Sequence, residues 1–231
     1  MRDFIVTLLT QLTAPFWHST VSIDQFVTAM QETIHMMIFA MLFGSLWGFI
    51  QAITLLMTRP DGILPNRGLY HAINPVVNAL RSLPFIILLV AVLPLTKLLV
   101  GTYIGPWAAI VPLTIYIGPY MGRLIENSLL EVNAGIIESA QAMGARPAQI
   151  MFKFIIPEAR SSIILNMTTA SISLLGATAM AGAVGAGGIG DLAISYGYNR
   201  FDNSVIILTV IVLIAMVQLM QMFGEWLSRL R

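Results

Sequence analysis

Cysteine is absent from this chain of 231 residues, and formal charge is scarce. Without a thiol there is no disulfide, no thiolate metal site and no cysteine nucleophile. Asp, Glu, Lys and Arg together make up 10% of the residues, while 57% are hydrophobic. A soluble domain carries about a quarter charged residues. Twelve basic and eleven acidic side chains cannot cover a water-soluble surface of this size, and a mean hydropathy of +0.83 sets most of that surface against lipid. The net charge of +1 supplies no basic field, which excludes nucleic acid as a partner. The N-terminus does not read as a cleaved signal either. Asp3 follows Arg2, the polar residues Thr7, Thr10 and Gln11 break the apolar stretch, and no small-x-small site follows. The composition is that of an integral membrane protein.

What the chain does have is long uncharged runs. With histidine neutral, they lie between Glu32 and Arg59, Arg81 and Lys97, Lys97 and Arg123, Arg160 and Asp191, and Asp202 and Glu225. A spanning helix needs about 20 mainly apolar residues. The first, fourth and fifth runs suffice. In the second, Lys97 can snorkel and let Leu98, Leu99 and Val100 extend the helix. The third is broken by a turn at Gly101-Thr102-Tyr103-Ile104-Gly105-Pro106. The expected fold is therefore all-α and polytopic, with five spans at approximately 34–58, 82–100, 106–123, 161–183 and 203–225.

Orientation follows from the basic residues. Arg59, Arg67, Arg81, Arg123, Arg146, Lys153, Arg160, Arg229 and Arg231 fall on one side, against Arg2, Lys97 and Arg200 on the other. The positive-inside rule then puts the N-terminus outside and the C-terminus inside. Residues 1–30 form a separate segment. Phe4, Leu8 and Leu12 at helical spacing, with Trp17 near its end, read as an interfacial helix on the outer surface or as a frayed terminus.

The longest polar interval, the cytoplasmic loop 124–160, is the most informative. Two short helices joined at Gly144 are expected, because glycine can end the first and Pro147 suits the first turn of the second. Ser139, Ala140 and Ala142 keep the first helix slim. On composition alone this is either a docking element or a solvated amphipathic loop. Residue by residue, however, it resembles the EAA motif of binding-protein-dependent ABC importer permeases, E-A-A-x-x-x-G-x9-I-x-L-P. Glu138, Ala140, Gly144 and Pro157 stand at their places. Ser139, Phe154 and Ile156 depart conservatively. The resemblance implies a coupling helix that docks into an ATPase subunit, with Glu138, Ser139, Ala140, Met143, Gly144, Ala145, Arg146 and Pro157 as its coupling residues.

The resemblance narrows with Arg81-Ser82-Leu83-Pro84-Phe85-Ile86-Ile87-Leu88-Leu89-Val90, Ala109-Ile110-Val111-Pro112-Leu113-Thr114, Glu126-Asn127-Ser128-Leu129-Leu130-Glu131 and Gly182-Ala183-Val184-Gly185-Ala186-Gly187-Gly188-Ile189-Gly190. These look like the permease subunit of methionine ABC importers over roughly residues 30–228. That family implies a transmembrane domain over 31–231 that works as a homodimer in the bacterial inner membrane. It also implies a cytoplasmic ATPase dimer that binds ATP and magnesium, a periplasmic or lipid-anchored substrate-binding protein, and surrounding membrane lipid. No cofactor is expected in this chain. It has no Walker A motif, G-x-x-x-x-G-K-[ST], and is expected to be a non-catalytic subunit.

Gly185-Ala186-Gly187-Gly188-Ile189-Gly190 spells the dinucleotide fingerprint G-x-G-x-x-G, but it follows a transmembrane helix rather than a strand. It is better read as a glycine-rich break where the fourth span ends. That span is rich in small and hydroxyl side chains, Ser173, Gly176, Ala177 and Thr178 among them. Such residues serve close helix contact, and they also suit the polar, uncharged path a zwitterion needs. Met180 is the one bulky side chain between Leu175 and Val184 and is either a gate on a dimer axis or packing. Glu32 and His35 lie one turn apart, which fits an interfacial structural pair better than a proton relay. Two rivals stay open. One is the same architecture carrying another solute, such as an osmoprotectant or phosphonate. The other is an ion-coupled secondary transporter, against which stands the absence of any Asp or Glu inside the five runs.

Overall fold

The computed structural model describes residues 20–230, and every regular element among them is helical. The main helices are α1 (Ile23–Thr58), α2 (Arg67–Ser82), α3 (Phe85–Val100), α4 (Pro106–Leu130), α5 (Ala134–Ala142), α6 (Arg160–Gly182) and α7 (Asn203–Arg229). α1, α4, α6 and α7 are each long and apolar enough to cross a membrane, and the bent pair α2–α3 makes a fifth crossing if counted as one span. The interfacial helix expected around Phe4, Leu8 and Leu12 lies outside the described residues.

Three boundaries differ from the sequence expectation. α1 begins at Ile23 rather than 34 and is 36 residues long, about 54 Å at 1.5 Å per residue against a hydrocarbon layer of about 30 Å. Residues 23–30 thus belong to α1. α4 continues to Leu130, through residues assigned to the loop. The second span does not start at 82. Leu83 is held extended ahead of Pro84, with φ −79° and ψ 130°, as the proline ring requires of its predecessor. The chain bends there by 114°, leaving α3 only 16 residues. The amphipathic helix α2 on the other side of the bend was not anticipated.

The described helices fall into two compact units. The first comprises Met1–Phe39 (described from Thr20), Phe85–Leu113 and Leu174–Leu219. In it Ala29, Leu192 and Val205 form a small buried cluster, with Val21, Phe26 and Tyr196 packed against it. Asp202 caps the start of α7. Its carboxylate accepts the backbone N–H groups of Ser204 and Val205, and also the backbone N–H and hydroxyl of Thr20, both at 2.9 Å.

The second unit comprises Ala40–Pro84, Thr114–Ser173 and Met220–Arg231. Its core is a glycine contact. Gly44 and Gly48 on α1 sit against Gly118 and Gly122 on α4, and a Cβ on Gly48 would lie 2.9 Å from the backbone nitrogen of Gly122. Small residues four apart on both helices allow the backbones this approach. Hydrogen bonds lock the periphery. Arg123 donates to Glu126 at 2.9 Å and to the side-chain oxygens of Asn74 and Asn78 on α2 at 2.6 and 2.9 Å. Asn166 and Ser162 of α6 bond Ser128 of α4, at 2.7 and 3.1 Å.

One prediction concerns Asp202. Burial raises its pKa, but the hydrogen bonds from Thr20, Val205 and Ser204 outweigh burial, and the group ends below the ordinary aspartate value of 3.8. Its contribution to stability is therefore complete above that value and is lost as pH falls through the lowered folded pKa. Asp202→Ala should cost about 1 kcal/mol, the usual worth of a helix cap. Melting curves of the purified protein should show that deficit at pH 7 and a smaller one under strong acid.

Candidate functional site

The loop after α4 folds as two helical pieces closed on each other at Gly144. Asn133 starts α5 by accepting the N–H of Gly135 at 2.8 Å. At the other end the N–H of Gly144 reaches the carbonyl of Gln141 and that of Ala145 reaches Ala140. This 5→2 and 6→1 pair is a Schellman closure, which needs a left-handed residue at the turn, and Gly144 has φ +75°. Arg146 donates its N–H to the side chain of Gln149 at 2.8 Å, and Pro147 opens the next helical turn.

α5 turns Ala140 fully inward and leaves Glu138, Ser139, Gln141, Ala142 and Gly144 exposed. Met143 stands 71% exposed at its tip. Ala145 is half-buried, and Arg146 and Pro157 are exposed. Glu138 and Gln141 line a solvent-open cleft of about 900 Å³, with Arg59, Asp61 and Gly62 among its other walls. Arg59 and Asp61 pair at 2.8 Å.

Beyond Gln149 the helix widens to a π-helical segment, Ile150–Ile155, and the N–H of Ile156 reaches back to Met151. Pro157 follows immediately. It has no N–H to give the carbonyl of Lys153, so the turn before it relaxes to wider spacing. Ile150, Met151 and Ile155 are buried by this segment.

The residues expected along a path all lie on α6, but they do not share a face. Gly176 and Met180 are exposed, Met180 at 54%. Ala177 and Thr178 are buried, and the Thr178 hydroxyl donates to the carbonyl of Leu175 at 2.7 Å. At 100° per residue, neighbours 176 and 177–178 cannot point the same way. In the second unit the Ser173 hydroxyl lies 3.1 Å from that of Tyr116, and Tyr116 stacks with Tyr120. These tyrosines were missed, although their i, i+4 spacing on one apolar helix was visible in the sequence.

The glycine-rich break is present. α6 ends at Gly182, and Gly185, Gly187 and Gly188 all have positive φ. Two α1 side chains hold it. Glu32 accepts the N–H of Gly188 at 2.7 Å, and the Thr33 hydroxyl accepts that of Ile189 at 2.9 Å. A Cβ on Gly187 would meet the Glu32 carboxylate at 2.5 Å, so glycine is needed there for space as well as for backbone angle. The expected Glu32–His35 pair is corrected by this geometry. The His35 ring packs instead edge-on against Trp107, at 4.3 Å between centroids, and its Nε2 is buried without a hydrogen-bond partner.

Residues 44–230 match the sequence profile of the family described as the inner membrane component of binding-protein-dependent transport systems. The chain belongs to that family. This permease is a multi-pass inner-membrane subunit of a transport system rather than an enzyme. It is 46% identical over 206 residues to the probable D-methionine transport system permease protein MetI of Vibrio cholerae, covering 89% of this chain and 92% of the relative. It is 39% identical over 176 residues to the methionine import system permease protein MetP of Bacillus subtilis, covering 76% and 79%. Its fold superimposes on a chain of the inward-facing MetNI methionine ABC transporter with a TM-score of 0.87 and 41% identity, over 90% of this permease and 96% of that chain.

Replacing Glu32 tests the clasp. Glu32→Leu should leave the Gly188 N–H unpaired and cost about 1–3 kcal/mol, seen as a lower melting temperature of the purified permease. Glu32→Gln keeps an acceptor oxygen and should recover most of the loss.

Proposed function

We propose that this permease imports methionine across the bacterial inner membrane as the membrane half of an ATP-driven complex. It works as a homodimer, and each copy offers α5 to one protomer of a cytoplasmic ATPase dimer, which binds ATP and magnesium. The N-terminus lies outside and the C-terminus inside, the side on which nine of the twelve basic residues fall. An outer binding protein delivers the substrate. What carries the reading is α5 itself, an exposed slim helix closed at Gly144, on a chain so similar to methionine permeases.

Glu138, Ser139, Met143 and Arg146 offer the outward contacts to the ATPase, while Ala140, Gly144 and Ala145 set the shape that fits its cleft. Pro157 fixes the return of the chain to α6. ATP draws the ATPase protomers together. The closed ATPase dimer shifts the permease only by binding one of its states better, since equal affinity for both would move nothing. The permease thereby exchanges an inward-open for an outward-open state. Along the path, Gly176 and Ser173 supply a polar, uncharged lining, and Ala177 and Thr178 pack behind it. Two copies of Met180, one from each protomer, close the axis.

The deciding measurement is uptake of labelled L-methionine in cells without their own methionine transporters, supplied with this chain, its ATPase and its binding protein. Uptake should require the chain and vanish when the ATP-binding lysine of the ATPase is replaced. ATP-dependent uptake of a different solute would keep the architecture and overturn the substrate. Gly144→Leu forces a side chain into the left-handed region, at about 1–2 kcal/mol. It should lower ATPase co-purification and uptake about tenfold with the membrane helices intact by circular dichroism. Normal co-purification would remove α5 from the coupling role. Met180→Ala should raise methionine leak through proteoliposomes without ATP, and an unchanged leak would assign Met180 to packing.

A further inference from the structure

We infer that Tyr198, Arg200 and Phe201 form the docking point for the soluble binding protein, with the Phe201 ring entering the partner's surface. The inference rests on the function proposed above. These residues belong to the short connection before α7. Phe201 has φ +56°, the one non-glycine residue with positive φ among those described, and its side chain is 86% exposed. Tyr198 beside it is 70% exposed. A bulky residue in the left-handed region is an outlier that persists only where the surroundings hold it.

The surroundings hold it from both flanks. On one side the Asp202 carboxylate takes four hydrogen bonds, from Thr20, Ser204 and Val205. On the other the Arg200 guanidinium lies 4.3 Å from the centre of the Tyr196 ring, whose hydroxyl accepts from Gln25. The framework is fixed and the ring is presented outward. A lipid headgroup layer takes aromatic side chains in many orientations and needs no such backbone. Polar residues also surround the ring, with Asn199 and Arg200 before it and Asp202 and Asn203 after it. A shaped protein surface does require a defined orientation, and the family is one whose transport depends on a second, binding protein. Aromatic and arginine side chains at the centre of a rigid patch are the usual anchors of such contacts. The partner surface that fits has an apolar socket for Phe201 and a carboxylate on its rim for Arg200.

The test titrates the binding protein against the complex of this permease and its ATPase in lipid nanodiscs, reading stimulated ATP hydrolysis. Phe201→Ser should raise the half-stimulating concentration about tenfold or more, and Phe201→Tyr should stay close to the wild type. Phe201→Gly relieves the backbone but removes the ring, and should weaken docking as Phe201→Ser does. Arg200→Glu, which leaves the ring in place, should weaken it independently. An unshifted half-stimulating concentration for Phe201→Ser overturns the docking assignment, and so does normal docking of Phe201→Gly. If Phe201→Ser instead lowers only the melting temperature, the ring is a lipid anchor and the assignment fails. A wild-type complex that the binding protein does not stimulate overturns the proposed function itself, and the docking point with it.

Discussion

A backbone that leaves its helix where water is excluded must find new partners for its N–H and C=O groups, because each one left bare costs several kcal/mol. The bonds around residues 182–190 follow from that constraint. Gly182 to Gly188 cannot continue α6, so the N–H groups of Gly188 and Ile189 need acceptors, and Glu32 and Thr33 of α1 are placed to provide them. The carbonyl of Gly185 takes the N–H of Gly105, at the turn that opens α4, at 2.9 Å. The one acidic side chain close to this break thus serves as a fixed acceptor. A membrane segment with so many glycines keeps one shape because its neighbours complete its hydrogen bonds.

The second unit solves a different problem, since apolar side chains gain little by leaving lipid for each other. Close backbone contact takes the place of hydrophobic drive, and glycine at 44, 48, 118 and 122 permits it. Trp47 fills the space over Gly118, and Gln51 that over Gly122. Polar residues then fix the register. The Arg123 fork ties α2 to α4, and the bonds of Asn166 and Ser162 to Ser128 tie α6 to α4. Substitution of any of the four glycines would separate the helices these bonds join.

Charge spacing made most of this legible in advance. Four long helices fall where uncharged runs predict them, and Gly144 and Pro147 shape the loop 124–160 as their backbone preferences require. What escaped is what charge and length do not encode. α2 is polar enough to pass for a loop, and its apolar positions mean something only once Val77 is seen buried. The start of α1 at Ile23 was hidden because Asp24 and Glu32 end the uncharged run without ending the helix. Path-facing and buried residues on α6 were not separable, since small side chains serve both positions. The contact of Glu32 with Gly188 spans 156 residues of sequence, and no local pattern announces it. The spacing of the glycines at 44, 48, 118 and 122 was readable, and its pairing across two helices was not.

The loop 124–160 also explains how a slim helix can transmit force. α5 alone is only nine residues, and a pull on a free helix that short would be lost in the chain behind it. Here Ala140 is fully buried at its root, and the Schellman closure leaves Gly144 no slack. The segment that follows is anchored by Ile150, Met151 and Ile155, each at most 1% exposed. A displacement at Met143 therefore moves a packed body rather than a loop. That body ends one residue before α6, which continues as a single helix from Arg160 through Ser173, Gly176 and Met180. Helices flex little along their length, so the residues proposed to line and close the path sit on the same rod that the coupling loop grips. The π-helical turn before Pro157 lies between grip and rod. Its wider spacing is forced by a missing N–H, and its buried side chains keep it from becoming a hinge.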